Sequence, residues 1–365
     1  MTQSVADNGQ QASSPKAGEV VLEVRNLTKH FPAGTFFKPK VVKALNDVSF
    51  TIRRGQVVAL VGESGSGKST TARLISRLMP PTSGEIILRG KNVLKTEPGR
   101  PSLSYRKEVQ MIFQDPFGSL NPVHTIEHHI ERPLHIHKML KNRYPLERVH
   151  ELLSTVGLTP PEEAARKYPY QMSGGQRQRV AIARALAVEP EIILADEPIS
   201  MLDVSIRMGV LNLMEQLKEE RGIGFLYITH DLASARYIGD QTMVMYTGYV
   251  VEAAESRELM EQPAHPYTQM LMGAVPNPEG GLIKKKAEAR GEIPSLTDLP
   301  PGCPFATRCP KVMDICKKSM PGKEYLSKDG DHWVRCHLYG PGEEPATAKA
   351  RAAVKTPAAE PDKGN

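Results

Sequence analysis

Residues 62–69 read GESGSGKS, which fits the spacing G-x-x-x-x-G-K-[ST]. Glycines in such a run let successive backbone N–H groups turn inward around a phosphate chain. Gly62, Ser64, Gly65, Ser66, Gly67 and Thr70 are the expected wall of that cradle, Lys68 is placed to reach the outer phosphates, and Ser69 to ligate Mg²⁺. Asp196 and Glu197 close an apolar run, EIILADEP. A carboxylate at a strand end can hold the metal through water, and its neighbour can polarise an attacking water. His230 closes a second apolar run, IGFLYITH, and Gln114 follows a third, MIFQDP. Either side chain, so placed, can touch a terminal phosphate, the metal or the water. Singly, a strand-end acid pair or histidine is as readily a surface feature. Ser173, Gly174, Gly175 and Gln176 form a second anion-binding turn, because a helix starting there offers N–H groups and a dipole to negative charge.

These groups need strands to carry them. VVALVG is a continuous β-branched run leading straight into the glycines, and KSTTARLISRLM after them has helical spacing. EIILADEP and IGFLYITH read as two more buried strands, so strands alternate with helices as in a mostly parallel α/β sheet. VVLEVRNLTKHF and VKALNDVSFTIRRGQ instead alternate apolar and polar residues, the pattern of half-buried antiparallel strands. Residues 115–172 are helical, polar and proline-studded, and read as a helical subdomain inserted into the fold; MVMYTGYVVE reads as a hairpin about Thr247–Gly248. The expected division is a polar disordered start over 1–18, a nucleotide-binding domain over 19–275, an irregular cysteine-containing extension over 276–340 and a flexible tail over 341–365.

The 365 residues are 40% hydrophobic and 24% charged, an ordinary soluble composition. The start, MTQSVADNGQQASSPKAGEV, lacks the basic and apolar regions of a signal peptide, and no apolar run approaches the roughly 20 residues of a membrane helix. A cytoplasmic protein that meets a membrane through a partner is expected. The 47 lysines and arginines are spread along the chain, which argues against nucleic acid.

All four cysteines, Cys303, Cys309, Cys316 and Cys336, fall late in the chain. Their spacing lacks the close C-x₂-C pairs of zinc modules. Four thiolates can hold a [4Fe–4S] cluster; His332 and His337 leave zinc open, and free buried thiols are the third reading. The five histidines of HTIEHHIERPLHIH (124–137) do not converge on one face and read as solvated helix residues.

The ordered set GESGSGKST, FQD, SGGQ, LADEP, SMLD and ITH resembles the ATP-binding cassette (ABC) family over residues 19–275. The resemblance implies a P-loop fold with a RecA-like core, an antiparallel β subdomain and a helical subdomain. It implies two such domains sandwiching two ATPs head to tail. Ser173, Gly174, Gly175 and Gln176 would then cap the ATP of the other subunit, so two anion turns in one chain serve two different sites. By the same resemblance Phe31 stacks on adenine, and Ser69, Gln114 and Asp196 hold Mg²⁺. Glu197 is the catalytic glutamate, His230 the switch histidine, and Asp203 signals across the dimer. Met172 and Met201 stand where the family has other residues, and neither change removes a ligand.

MIFQDPFGSLNP, HPYTQMLMGAVPNP and PPGCPFATRCP resemble, more narrowly, the second ATPase subunit of bacterial oligopeptide and dipeptide importers. That implies an unlike ATPase partner, two transmembrane permease subunits, an indirect link to an extracytoplasmic solute-binding protein, and a place on the cytoplasmic face of the membrane. Some ATPases of this type carry a [4Fe–4S] cluster in the extension. Related systems import nickel or oligosaccharides. A soluble cassette protein working on DNA or the ribosome is the rival reading; such proteins carry tandem cassettes or a long coiled coil, and neither is seen in the sequence.

Overall fold

The structure, a computed structural model, describes residues 18–35, 37–140, 143–273 and 292–340. The expected disordered start, apart from Gly18, the expected flexible tail and the first part of the extension lie outside the described residues.

Two alternating strands, β1 (Val20–Thr35) and β2 (Lys38–Arg53), pair antiparallel along nearly their whole length, from Val20 opposite Arg53 to Thr35 opposite Lys38. The chain then enters a second sheet through β3 (Val57–Val61) and returns to the first with β4 (Ser83–Leu88) and β5 (Lys91–Asn92). The first sheet runs β2-β1-β4-β5.

The remaining strands are β6 (Val109–Ile112), β7 (Ile192–Asp196), β8 (Gly224–Thr229), β9 (Gln241–Tyr246), β10 (Tyr249–Glu255), β11 (Glu324–Tyr325) and β12 (Trp333–Val334). They join β3 in the order β11-β12-β10-β9-β3-β8-β7-β6. From β9 to β6 every pairing is parallel. Both faces of this parallel part are covered, which is why its strands are apolar throughout. Val57, Ala59 and Val61 bury into one layer with Phe225 and Tyr227, while Val58 and Leu60 bury into the other with Leu226 and Ile228. Alternate side chains of one strand thus seed two separate cores.

The helical insert comprises Ile126–Ile136, Pro145–Thr155 and Pro161–Arg166. Prolines open the last two helices, where the missing N–H has no partner to lose. Ile126, Ile130 and Leu134 repeat at helical spacing and are fully buried against Val149, Leu152 and Leu153. The expected hairpin is present: Thr247 and Gly248 both take positive φ, 44° and 84°, between β9 and β10, as a tight hairpin turn requires.

The extension is more regular than its sequence suggested. Its strand β12 pairs antiparallel with β10, Glu252 opposite Val334 and Ala253 opposite Trp333, so it covers what would be an open sheet edge. Two-residue strands carry almost no periodic signal, which is why the sequence concealed them.

Candidate functional site

A cavity of about 690 Å³ opens at the carboxyl ends of the parallel strands. Glu63, Ser64, Gly65, Gly67, Lys68, Ser69 and Thr70 form one wall; Gln114, Glu197 and His230 face them. The loop after β3 can turn so tightly because of its glycines. A side chain at Gly62 would sit 2.2 Å from the Met245 carbonyl oxygen, and Gly67 holds φ at 108° with the Ala44 carbonyl 2.7 Å from where a Cβ would be. The helix Lys68–Ile75 begins immediately after Gly67.

Lys68 is buried, and its ammonium donates to the carbonyls of Gly62 at 2.7 Å and Glu63 at 3.0 Å. Burial lowers its pKa, against the pull of Glu197, Asp196 and Glu63. Those weak carbonyl partners are ones an incoming phosphate can replace. Ser69 Oγ donates to Asp196 Oδ1 at 2.9 Å. Burial raises the Asp196 pKa, with the Ser69 hydrogen bond acting the other way. A hydroxyl and a carboxylate meeting at the end of β7 are oxygen donors that suit Mg²⁺.

Glu197 has φ of 46°, in the left-handed region, where a non-glycine residue is strained. Its N–H donates to the Ile228 carbonyl at 2.9 Å, and its own carbonyl accepts from the Ser200 N–H at 3.2 Å and hydroxyl at 3.0 Å. The backbone is thereby held in a conformation that points the carboxylate into the cavity. Gln114 Nε2 donates to Glu197 Oε2 at 3.2 Å, and His230 Nδ1 lies 3.2 Å from the same oxygen. Residues from two other apolar runs therefore converge on one oxygen of the Glu197 carboxylate.

Other expected residues lie elsewhere. Ser66 is buried behind the loop. Ser173 caps the helix Gly174–Leu186, its Oγ accepting from the Gln176 N–H at 3.3 Å while the Gln176 side chain accepts from the Ser173 N–H at 3.0 Å. This capping box gives SGGQ a local structural role in addition to an anion-facing one. Neither it nor Asp203, the N-cap of the helix Val204–Arg221, lines the cavity. Phe31 does not line it either; its ring carries the Lys29 ammonium at 4.9 Å. Sequence reasoning missed Ala44, Glu63 and Leu296 in the cavity wall. Ala44 and Leu296 have no chemical side chain to betray them, and a carboxylate such as Glu63 is not a group that a phosphate site calls for.

The four cysteines are free and surround a second, very small cavity of about 10 Å³, together with His337. Burial pushes the Cys303 thiol up to about 11 and Cys336 to about 12, and it raises Cys309. Among the described residues no three His, Cys, Asp or Glu side chains are placed to hold a metal ion together. Thiols are the donor type that a metal cluster uses, but the cavity they surround has room for about one water. His332 is not part of this set: its Nε2 lies 3.0 Å from Glu252 Oε1 and its Nδ1 3.0 Å from Glu258 Oε1. In the histidine run His124, His128 and His135 are exposed as expected, and His129 alone is buried. His124 and His128 stack at 4.1 Å between ring centroids, and His129 meets both edge-on at 6.2 Å, buried with Nε2 3.0 Å from the Asn121 carbonyl.

A phosphate loop ending in Lys68–Ser69, a strand-end Asp196 beside it and a glutamine–glutamate–histidine group opposite define a P-loop nucleoside triphosphatase. Residues 45–200 match the model of the ABC transporter family, and residues 251–316 that of the oligopeptide/dipeptide transporter C-terminal region. The oligopeptide transport ATP-binding protein AppF of Bacillus subtilis is 45% identical over 326 residues, 88% of this chain and 98% of that protein. The dipeptide transport ATP-binding protein DppF of Escherichia coli is 40% identical, covering 89% of this chain and 96% of that protein. A dimeric ATP-binding cassette solved in a post-hydrolysis state with ADP and Pi matches with a TM-score of 0.55 at 32% identity, over 65% of this chain and 99% of that one. The chain belongs to the ABC transporter ATPase family. Among the described residues no helix is long and apolar enough to cross a membrane.

Proposed function

We propose that this chain is the ATP-hydrolysing subunit of a bacterial importer for oligopeptides or dipeptides, working as half of a head-to-tail dimer with a second, unlike cassette. The observation that carries the reading is an asymmetry in the site. Lys68, Ser69, Gln114, Glu197 and His230 gather around one cavity, with Asp196 joined to it through the Ser69 hydroxyl, whereas Ser173–Gln176 lie outside it. A turn suited to phosphate but excluded from its own chain's site is best used on a partner's ATP. The relatives, named as oligopeptide and dipeptide transport proteins, support peptide cargo over nickel or oligosaccharide.

The chemistry follows from the residues. The backbone N–H groups of residues 64–70 hold the phosphate chain, and Lys68 exchanges its two carbonyl partners for phosphate oxygens. Ser69 and Asp196, with Gln114, would hold Mg²⁺, which when bound offsets negative charge on the outer phosphates. Glu197 accepts a hydrogen bond from the attacking water and orients it in line. His230, sharing the glutamate oxygen, senses the γ-phosphate, and Phe31, which lies outside the cavity of the single chain, stacks on adenine as the dimer closes. Asp203, at the mouth of its helix, faces the second subunit.

The functional division is a nucleotide-binding domain over 19–275 with its helical subdomain at 115–172, and an extension over 276–340. The helical subdomain receives one of two transmembrane permease subunits, which places the chain on the cytoplasmic side of the membrane; an extracytoplasmic solute-binding protein delivers the cargo. Cys303, Cys309, Cys316 and Cys336 would hold a [4Fe–4S] cluster, supported by their gathering around one cavity; bound there, such a cluster supplies a cross-link and no catalytic step.

The test is affinity purification from detergent-solubilised membranes of the native host, with the co-purifying chains identified by mass spectrometry. Two multi-span proteins and a different cassette ATPase are expected. Ribosomal or DNA-repair proteins without a membrane chain would overturn the reading.

A further inference from the structure

Glu63, the second residue of the phosphate loop, poses a physical problem. A carboxylate beside a phosphate site repels the ligand that the loop exists to bind. Its partner lies 245 residues further along the chain. Arg308 forks it, Nη1 donating to Oε2 at 2.7 Å and Nη2 to Oε1 at 3.1 Å. The arginine side chain is only 6% exposed and the glutamate 28%, so the pair is largely withdrawn from water.

Everything polar on Glu63 is in fact held. Its N–H donates to the Tyr267 hydroxyl at 3.0 Å, and its carbonyl accepts from Lys68 at 3.0 Å. Arg308 is itself fixed. It donates to the Tyr246 hydroxyl at 3.4 Å, and its guanidinium lies 5.8 Å from the Tyr246 ring and 6.0 Å from the Phe305 ring. Phe305, fully buried, packs edge-on against Tyr246 at 5.3 Å and tilted against Tyr267 at 5.4 Å. Arg308 sits on the knuckle between Cys303 and Cys309, whose turns are closed by Ala306 N–H to the Cys303 carbonyl and Arg308 N–H to the Phe305 carbonyl, both at 3.0 Å.

We propose that Arg308 is a positioning residue for nucleotide binding: by forking Glu63 it fixes the first turn of the phosphate loop and neutralises the one acid on that loop. The C-terminal extension thereby governs how well the site accepts the phosphates of ATP. Removing only the guanidinium strands a carboxylate in a partly dry site next to incoming negative charge, the costly way to break such a pair. Removing both charges does not.

The test uses the full-length protein with MgADP as the probe in isothermal titration. Arg308→Gln is expected to weaken MgADP binding about tenfold, and Glu63→Gln added to it to recover most of that loss, a coupling that two independent sites do not show. In steady-state hydrolysis the effect falls on KM for ATP rather than on kcat. Should Arg308→Gln not fold, Arg308→Lys, which keeps the charge and loses the fork, is expected to weaken binding in the same direction and to be relieved by the same second change. Unaltered affinity, a double variant as weak as the arginine variant alone, or a loss confined to kcat would each overturn the proposal.

Discussion

Nδ1 of His230 lies 3.2 Å from Oε2 of Glu197, joining the ends of two neighbouring parallel strands across the mouth of the phosphate site. The glutamate reaches that position only because its backbone is held at a φ of 46°. Replacing Glu197 by Gln preserves shape and most hydrogen bonds and removes the group that can accept a proton. ATP binding is expected to survive while turnover falls at least about a hundredfold. Single-turnover hydrolysis beside an equilibrium nucleotide titration checks this, and unchanged turnover would place the base elsewhere.

Asp196→Asn probes the metal side of the same site, behind Ser69. The Ser69 hydroxyl at 2.9 Å keeps an acceptor, but the anionic oxygen for Mg²⁺ is lost. The Mg²⁺ concentration needed for half-maximal hydrolysis is expected to rise by about tenfold or more. A magnesium titration of the rate measures it directly.

The second anion-binding turn, Ser173–Gln176, offers a contrast between two adjacent glycines. A Cβ at Gly175 would stand 2.4 Å from Ile206 Cγ2, whereas one at Gly174 would meet only Leu202 Cδ2 at 3.6 Å. Gly175→Ala is therefore expected to cost about 1–3 kcal/mol through overpacking, and Gly174→Ala far less. Denaturant melts of the two variants separate the outcomes.

A pH effect should come from the joint between the extension and β10. His332 is buried between Glu252 and Glu258; burial works against its cation, but the two carboxylate hydrogen bonds prevail and its pKa is raised. A raised histidine stabilises the fold fully below its unfolded pKa of about 6.5 and loses that contribution as pH climbs through the folded value. Nearby His265 behaves oppositely. Burial lowers it to about 4, so its contribution is present above about 6.5 and is lost as pH falls from there toward about 4. Thermal midpoints should therefore fall on the alkaline side of about 6.5, and His332→Gln should flatten that limb while leaving the acid limb in place.

Anaerobic purification tests the cysteine site. Brown protein with broad visible absorption is expected, and Cys336→Ser should bleach it. A colourless protein containing one zinc per chain would reject the iron–sulfur reading, and a colourless metal-free one would leave four free thiols, three of them buried.

The chemistry of the site was legible in the sequence because it is local: a glycine spacing, a strand-end acid pair and a strand-end histidine each occupy a few consecutive residues. The doubly covered sheet was legible for a related reason, since runs such as VVALV and IGFLYIT make sense only with both faces buried. What local pattern could not show was which distant residues would meet. Nothing near GESGSGKS announces Arg308, and nothing in the extension announces that Trp333–Val334 will extend the main sheet or that His332 belongs to Glu252 rather than to the cysteines. Those pairings join residues far apart in the chain. Only the packing of the extension against the cassette decides them, because a charge or a two-residue strand carries no record of its partner until the fold brings that partner within a few ångströms.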